Sequence, residues 1–167
     1  GSTTGEFYDI MDGSNVSLGS VWDKPTGEYE YYSYLIPYAT GEISYAEGYQ
    51  TKATNIGTHA EGWRTTASGY ASHAEGERTT ASGFASHAEG VSTQAIGGQS
   101  HAEGNTTTAA GDMSHAGGWS SSTAGNSSFV HGSHNSNYSD YSFIGAGSGN
   151  TISKNSIFSR SEERRVG

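Results

Sequence analysis

The stretch SHAEGERTTASGFASHAEG, residues 72–90, contains the same short phrase twice, and this repetition decides the fold. Aligned on the phrase, six 14-residue units run from residue 44 to residue 127 without an insertion. Two looser copies continue in phase from 128 and 142, and a ninth is predicted to begin at SIFS, residue 156. A period this strict is typical of a solenoid in which each unit forms one coil.

Each unit divides into two halves of seven residues, [S/T]-x-A-x-G-x-x and T-x-A-x-G-x-x. Small residues at positions one, three and five alternate with mostly polar residues, which is the pattern of a short strand followed by a two-residue turn. We expect two facing inward rows, exemplified by Ser72, Ala74 and Gly76 against Thr79, Ala81 and Gly83. The chain is therefore predicted to be an all-β, narrow parallel β-roll, or β-solenoid, with 14-residue coils.

The composition limits both the core and the partners. The chain has 167 residues, of which 25 are glycine and only 32% are hydrophobic, so a large apolar core is excluded. The net charge of −9 and the lack of a basic cluster in the repeats argue against nucleic acid as a partner. There is no apolar run long enough to cross a membrane, no intact signal peptide can be read, and we expect the start at Gly1-Ser2 to be cut rather than natural. No cofactor is predicted.

The larger apolar side chains fall mainly at the turns, where a single roll would leave them partly in water. These residues are Tyr49, Trp63, Tyr70, Phe84, Val91 and Trp119. We expect them to contact neighbouring copies of the chain, and the alternative is that they only cover the edges of one roll. Trp63 and Trp119 are also candidate binding residues.

The two ends differ from the repeats. Residues 1–43 are tyrosine-rich, which predicts a small β cap or the end of a preceding domain. Aromatic faces can also stack on sugar rings, so four tyrosines are candidate binding residues: Tyr29, Tyr31, Tyr32 and Tyr34. The roll itself is predicted over 44–159. The last residues, RSEERRVG at 160–167, resemble a translated sequencing adapter and are predicted to be non-native, with a genuine basic tail as the alternative.

The sharpest local motif is His-x-Glu, in four successive units. Its members are His59, Glu61, His73, Glu75, His87, Glu89, His101 and Glu103. Residues two apart on a strand share a face, so these side chains should form parallel ladders. We interpret the ladders as structural, with the glutamates raising the pKa of the imidazoles, so that stability would fall from about pH 6 to pH 8. Metal binding is the alternative, but we expect its ligands to converge only where three chains meet.

A catalytic site is not predicted. Serine and histidine are adjacent in the units from 72, 86, 100 and 114, but residues that recur from unit to unit do not define one nucleophile, one base and one orienting acid. An ice-binding threonine array is a weak alternative, because the array is interrupted at Gln94 and at Ser121-Ser122.

The S-x-A-x-G repeats resemble the left-handed parallel β-roll of trimeric autotransporter adhesin heads. SFIGAGSGNTIS, 142–153, is most similar to those heads, whereas SHAEGxxTxASG is more similar to repeats of phage tail-fibre and prophage proteins of Gram-positive bacteria. The resemblance implies a homotrimeric fibre segment on a virion tail or a bacterial surface that attaches to a host glycan or protein receptor. In the phage proteins such repeats often precede a self-cleaving chaperone domain. The alternative function is therefore the stalk of a self-cleaving or enzymatic tailspike whose catalytic residues lie beyond Ser159.

Overall fold

The computed structural model describes residues 37–154 and, by backbone alone, three strands outside that range. Two of these, β1 at Phe7–Met11 and β2 at Ser17–Trp22, form an antiparallel pair. The tyrosine-rich segment 29–34 lies outside the described residues, so the cap and the sugar-binding role stay predictions. None of the described residues forms a helix long and apolar enough to cross a bilayer.

The rest of the described chain alternates between two parallel sheets of nine strands each. The first, the histidine sheet, consists of β4 Tyr45–Tyr49, β6 His59–Trp63, β8 His73–Glu77, β10 His87–Ala88, β12 His101–Ala102, β14 His115–Ala116, β16 Phe129–Val130, β18 Phe143–Ile144 and β20 Arg160–Ser161. The second, the threonine sheet, consists of β3 Tyr38–Ala39, β5 Lys52–Ala53, β7 Thr66–Ala67, β9 Thr80–Ala81, β11 Gln94–Ala95, β13 Thr108–Ala109, β15 Ser122–Thr123, β17 Ser136–Asn137 and β19 Thr151–Ile152.

The strand register confirms the predicted solenoid. His73 pairs with His87 and Ala74 pairs with Ala88, so each strand lies beside its counterpart one 14-residue unit along the chain. The pairing begins earlier than the predicted boundary at 44, because Tyr38–Ala39 already pairs with Lys52–Ala53. The chain is thus an all-β parallel solenoid of about eight 14-residue coils.

The last coils depart from the predicted phase. Ser136 pairs with Thr151, which is one residue beyond a 14-residue step, so the unit from 142 contains an insertion. Gly147, at φ 93°, takes part in the extra step and accepts a hydrogen bond from the Ser133 amide. The following strand pairs Arg160 with Phe143, whereas a ninth copy starting at 156 would place Ile157 there. The predicted in-phase continuation is therefore wrong after residue 144.

The interior is a double row of alanines with buried hydroxyls beside it. Eleven alanines are at most 4% exposed: Ala39, Ala53, Ala60, Ala67, Ala74, Ala81, Ala88, Ala95, Ala102, Ala109 and Ala116. Towards the end of the rod Val130, Ile144 and Ile152 replace them. Because methyl groups fill the space between the sheets, the sheets approach closely and the roll is narrow.

The predicted inward rows are confirmed for Ser72, Ala74, Thr79, Ala81 and Gly83, which are all buried. Gly76 is the exception, because it is exposed. Its φ of 100° turns the chain outwards at the end of the strand, a conformation that glycine adopts without strain.

The two-residue turns place a residue in the left-handed region at both edges of each coil. Arg78, at φ 56°, and Ala85, at φ 50°, are examples, and the same conformation recurs in the other coils. The large side chains lie at these edges as predicted, with Tyr70 48% and Phe84 54% exposed. Their rings stack at a centroid separation of 5.5 Å.

Candidate functional site: a His/Glu ladder

The histidine sheet presents the predicted His-x-Glu motifs on its outer face. We call the outward residues His59, Glu61, His73, Glu75, His87, Glu89, His101 and Glu103 the His/Glu ladder. Each histidine precedes a buried alanine, and each glutamate follows one, so the strand alternation turns both side chains outwards. All eight are half-buried. The expected arrangement of imidazoles and carboxylates in parallel rows is confirmed.

The imidazole rings stack face to face along the rod. The centroids of His59 and His73 are 4.6 Å apart, and those of His73 and His87 are 4.8 Å apart, with 3° between the planes in both pairs. His101 continues the stack 4.9 Å beyond His87. The next ring, His115, is turned by 89° relative to His101. The regular stack therefore contains four rings.

The carboxylates join one coil to the next. Glu75 Oε1 lies 3.3 Å from Nε2 of His87, the histidine of the following copy, and Glu89 Oε1 lies 3.0 Å from Nε2 of His101. Glu61 approaches His73 at 3.7 Å in the same way. The ion-pair partner of each glutamate is thus the next histidine along the rod rather than the histidine of its own motif. Each contact ties two neighbouring coils together.

The predicted rise in the histidine pKa is wrong where a shift is resolved. Burial lowers the pKa of His73, and the stacked rings of His87 and His59 lower it further, against the opposing effect of Glu75 and Glu61. Burial also lowers the pKa of His115, followed by the effect of His101. Rings packed at 4.6–4.9 Å repel one another when charged, and this together with lost hydration outweighs the carboxylates.

Three groups within the ladder bring metal-ligating atoms together in one chain. We name them triad A (His59, Glu61, His73), triad B (His73, Glu75, His87) and triad C (His87, Glu89, His101). In each triad the ligand atoms lie within 4.8 Å of one another. The expectation that ligands would converge only between three chains is therefore wrong. The reason is that each glutamate points towards the histidine of the next coil, which places one carboxylate between two rings.

The two candidate binding tryptophans lie on the edge of the rod opposite Tyr70 and Phe84, and they are not close together. Trp63 is half-buried, stacks on Tyr49 at 6.1 Å, and has Arg64 and Arg78 over its ring at 4.7 and 4.6 Å. Trp119 is 56% exposed and lies four units further along the same edge. The two rings are thus separated by roughly 19 Å of rod, at about 4.8 Å per coil.

The sequence pattern already places Tyr45 and Glu47 in the unit before the ladder, but it missed His131 at the other end. Tyr45 stands before His59 with its ring 5.4 Å away, and its hydroxyl donates to Glu47 at 3.3 Å. The negative charge of Glu47 raises the pKa of Tyr45. At the other end, Nε2 of His131 lies 3.9 Å from Glu103. His131 could have been found, because it occupies the glutamate position of its unit.

Comparison with known proteins returned no matching family, no matching curated protein and no matching solved structure.

Proposed function

We propose that the chain is a structural and adhesive segment of an elongated homotrimeric fibre, built from left-handed β-rolls, that attaches a virion tail or a bacterial surface to its host. The observation that supports this most is the combination of a rod-like solenoid with an alanine-lined interior and exposed aromatic side chains at its edges. An extended rod is suited to holding a binding surface away from its anchor.

The thin core favours assembly with other copies. Burying one methyl or methylene group contributes about 0.8 kcal/mol, whereas ordering the backbone of one residue costs about 1–2 kcal/mol. Alanine rows supply little of that stabilisation, and each coil must also hold its turns in the left-handed region. The edge formed by Ile56, Tyr70 and Phe84, which are 40%, 48% and 54% exposed, offers an apolar surface that a neighbouring roll would cover. The opposite edge carries Trp63 and Trp119 and is the surface we assign to host contact.

The mass of the chain in solution tests the assembly. Sedimentation equilibrium at micromolar concentration is expected to give three times the chain mass of 17.4 kDa. A stable, folded monomer would contradict the trimer. The adhesive part is tested by binding of the fluorescently labelled chain to glycan arrays and bacterial cell walls. We expect the variant Trp119→Ser to bind less, and equal binding would remove that residue from the contact surface.

A further inference from the structure

The His/Glu ladder contains a donor set that its structural role leaves unused. Nε2 of His59 and Nε2 of His73 are shielded from solvent and have no hydrogen-bond partner. Both belong to triad A, whose third member, Glu61, has its Oε1 3.7 Å from Nε2 of His73. A buried ring nitrogen without a partner is costly unless something binds it. Two such atoms beside one carboxylate indicate a ligand that accepts their lone pairs.

We propose that the His/Glu ladder binds divalent transition-metal ions, with Zn²⁺ as the representative ion, through two histidines of neighbouring coils and the glutamate between them. This site is independent of the fibre function proposed above, because it needs only one chain.

The chemistry of the donors selects the class of ion. Neutral imidazole nitrogen and carboxylate oxygen are ligands of Zn²⁺ and of related first-row ions, and two histidines with one glutamate form a known type of zinc site with an open position. Mg²⁺ and Ca²⁺ prefer oxygen ligands, so a set with two nitrogens disfavours them. The remaining position faces solvent, because the ladder side chains of triad A are about one third exposed, at 34% for His73 and 33% for Glu61.

The distances require only small movements. Zn²⁺ lies about 2.0–2.1 Å from imidazole nitrogen and carboxylate oxygen, so tetrahedral ligands are roughly 3.4 Å apart. The atoms of each triad start within 4.8 Å of one another. The two parallel rings must tilt towards each other, and the open outer face of the sheet leaves room for this. Among residues 37–154, each ladder glutamate forms its ion pair with histidine and none forms one with lysine or arginine. The charge of the ion would therefore also offset the repulsion between neighbouring glutamates.

The overlap of the triads fixes the number of ions. Triads A and B share His73, and triads B and C share His87. An imidazole Nε2 has one lone pair and ligates one ion, so neighbouring triads cannot be filled together. Triads A and C share no residue. One chain should therefore bind two ions, in triads A and C.

Calorimetric titration of the untagged, EDTA-treated full chain with ZnCl₂ at pH 7.5 tests this. The wild type is expected to bind two ions. His73→Gln should leave only triad C and bind one, His87→Gln should leave only triad A and bind one, and the double variant should bind none. His134→Gln removes an exposed histidine outside the triads and should still bind two. MgCl₂ should give no saturable heat.

A stoichiometry other than two in the wild type overturns the proposal, as does wild-type zinc binding by the double variant. If the double variant does not fold by circular dichroism, Glu61→Gln with Glu75→Gln and Glu89→Gln, which removes the carboxylate of all three triads, keeps the ring stack and replaces it in the test. Loss of a carboxylate that binds the ion directly should lower the zinc affinity at least as much as loss of a residue that only hydrogen-bonds to a ligand. We therefore expect about 100-fold weaker zinc binding. An unchanged affinity in that variant would also overturn the proposal.

Discussion

Gly90 lies so close to Gly104 in the next coil that a Cβ on Gly90 would stand 2.2 Å from the Gly104 carbonyl oxygen. Gly90 is also at φ 99°, a conformation that other residues rarely adopt. We therefore predict that Gly90→Ala destabilises the rod by at least about 2 kcal/mol, because both the backbone and the coil spacing must shift. Thermal unfolding followed by circular dichroism measures this.

The matched control for that substitution is Gly98→Ala. At Gly98 the nearest atom to an added Cβ is Asp112 Oδ1 at 3.5 Å, which is ordinary contact, and φ lies outside the left-handed region. We expect a change of less than about 1 kcal/mol, in either direction. Equal losses in the two variants would show that close approach between coils does not limit the side chain at Gly90.

A second prediction concerns the left-handed turn residues. Ala85 has a φ of 50°, and glycine would relieve a cost of about 1–2 kcal/mol while adding about 0.4–1 kcal/mol of entropy to the unfolded chain. Ala85→Gly is expected to raise the free energy of unfolding by about 0.5–1 kcal/mol. Gly57 occupies the same turn position with φ 65°, and an added Cβ would meet only Ala71 Cα, at an ordinary contact distance of 3.9 Å, so Gly57→Ala should have the reverse effect. Denaturant unfolding of both variants checks the sign, and the same sign in both would contradict the argument.

A third prediction concerns the buried threonines. Thr79 Oγ1 is buried with no hydrogen-bond partner, whereas Thr107 Oγ1 donates to the Glu103 carbonyl oxygen at 2.9 Å. Thr79→Val keeps nearly the same shape and removes an unsatisfied hydroxyl, so we expect stability to rise by about 1 kcal/mol. Thr107→Val should lower it by about 1 kcal/mol. Urea midpoints for the two variants provide the comparison, and a loss at Thr79 as large as that at Thr107 would refute it.

A fourth prediction concerns pH. Because burial lowers the pKa of His73 and His115 in the folded state, the unfolded chain binds more protons as the pH falls through about 6.5. The stabilisation from neutral rings is present above that value and is lost below it. In EDTA, the free energy of unfolding should therefore increase from pH 5 to pH 7.5. His73→Gln with His115→Gln should flatten this part of the profile. A wild-type free energy of unfolding that falls over the same range would contradict this prediction. It would support the raised histidine pKa that was expected from the sequence.

A fifth prediction tests the proposed contact edge. Replacing Tyr70 and Phe84 by serine should shift the assembly towards the single chain in sedimentation experiments, since these rings form the apolar edge. Tyr138→Ser is the control, because Tyr138 is equally exposed, at 48%, but lies on the threonine sheet face. An unchanged distribution in the Tyr70 and Phe84 variant, or the same shift in the control, would exclude this edge as the contact.

The sequence was enough to predict the coil, the two sheets and the inward alanines, because a 14-residue period and strand alternation are local patterns. It could not predict the exposure of Gly76, because the turn there depends on how closely Gly90 approaches in the next coil. The histidine pKa was predicted with the wrong sign for a related reason. Sequence shows that His73 lies near carboxylates, but the loss of hydration and the stacking of His59 and His87 on its ring depend on packing between coils.

The sequence repeat also did not predict the extra residue near Gly147. SFIGAGSGNTIS reads in phase, and only the pairing of Ser136 with Thr151 shows that the ladder absorbs one more residue there. The link from Glu61 to His73 was equally hidden, since the motif places His59 and not His73 beside that glutamate.

The 14-residue register has a consequence for how such rods change over generations. In the two parallel sheets, each strand between residues 52 and 144 pairs with the coil before it and the coil after it, and the units from 58 to 99 present nearly the same small residues at both faces. Loss of residues 72–85 would therefore join Ala71 to Ser86 and bring His59 beside His87 with the stacking intact. Unequal recombination between the repeated codons can thus lengthen or shorten the rod by whole coils, about 4.8 Å at a time, and reset its reach without inventing a new fold.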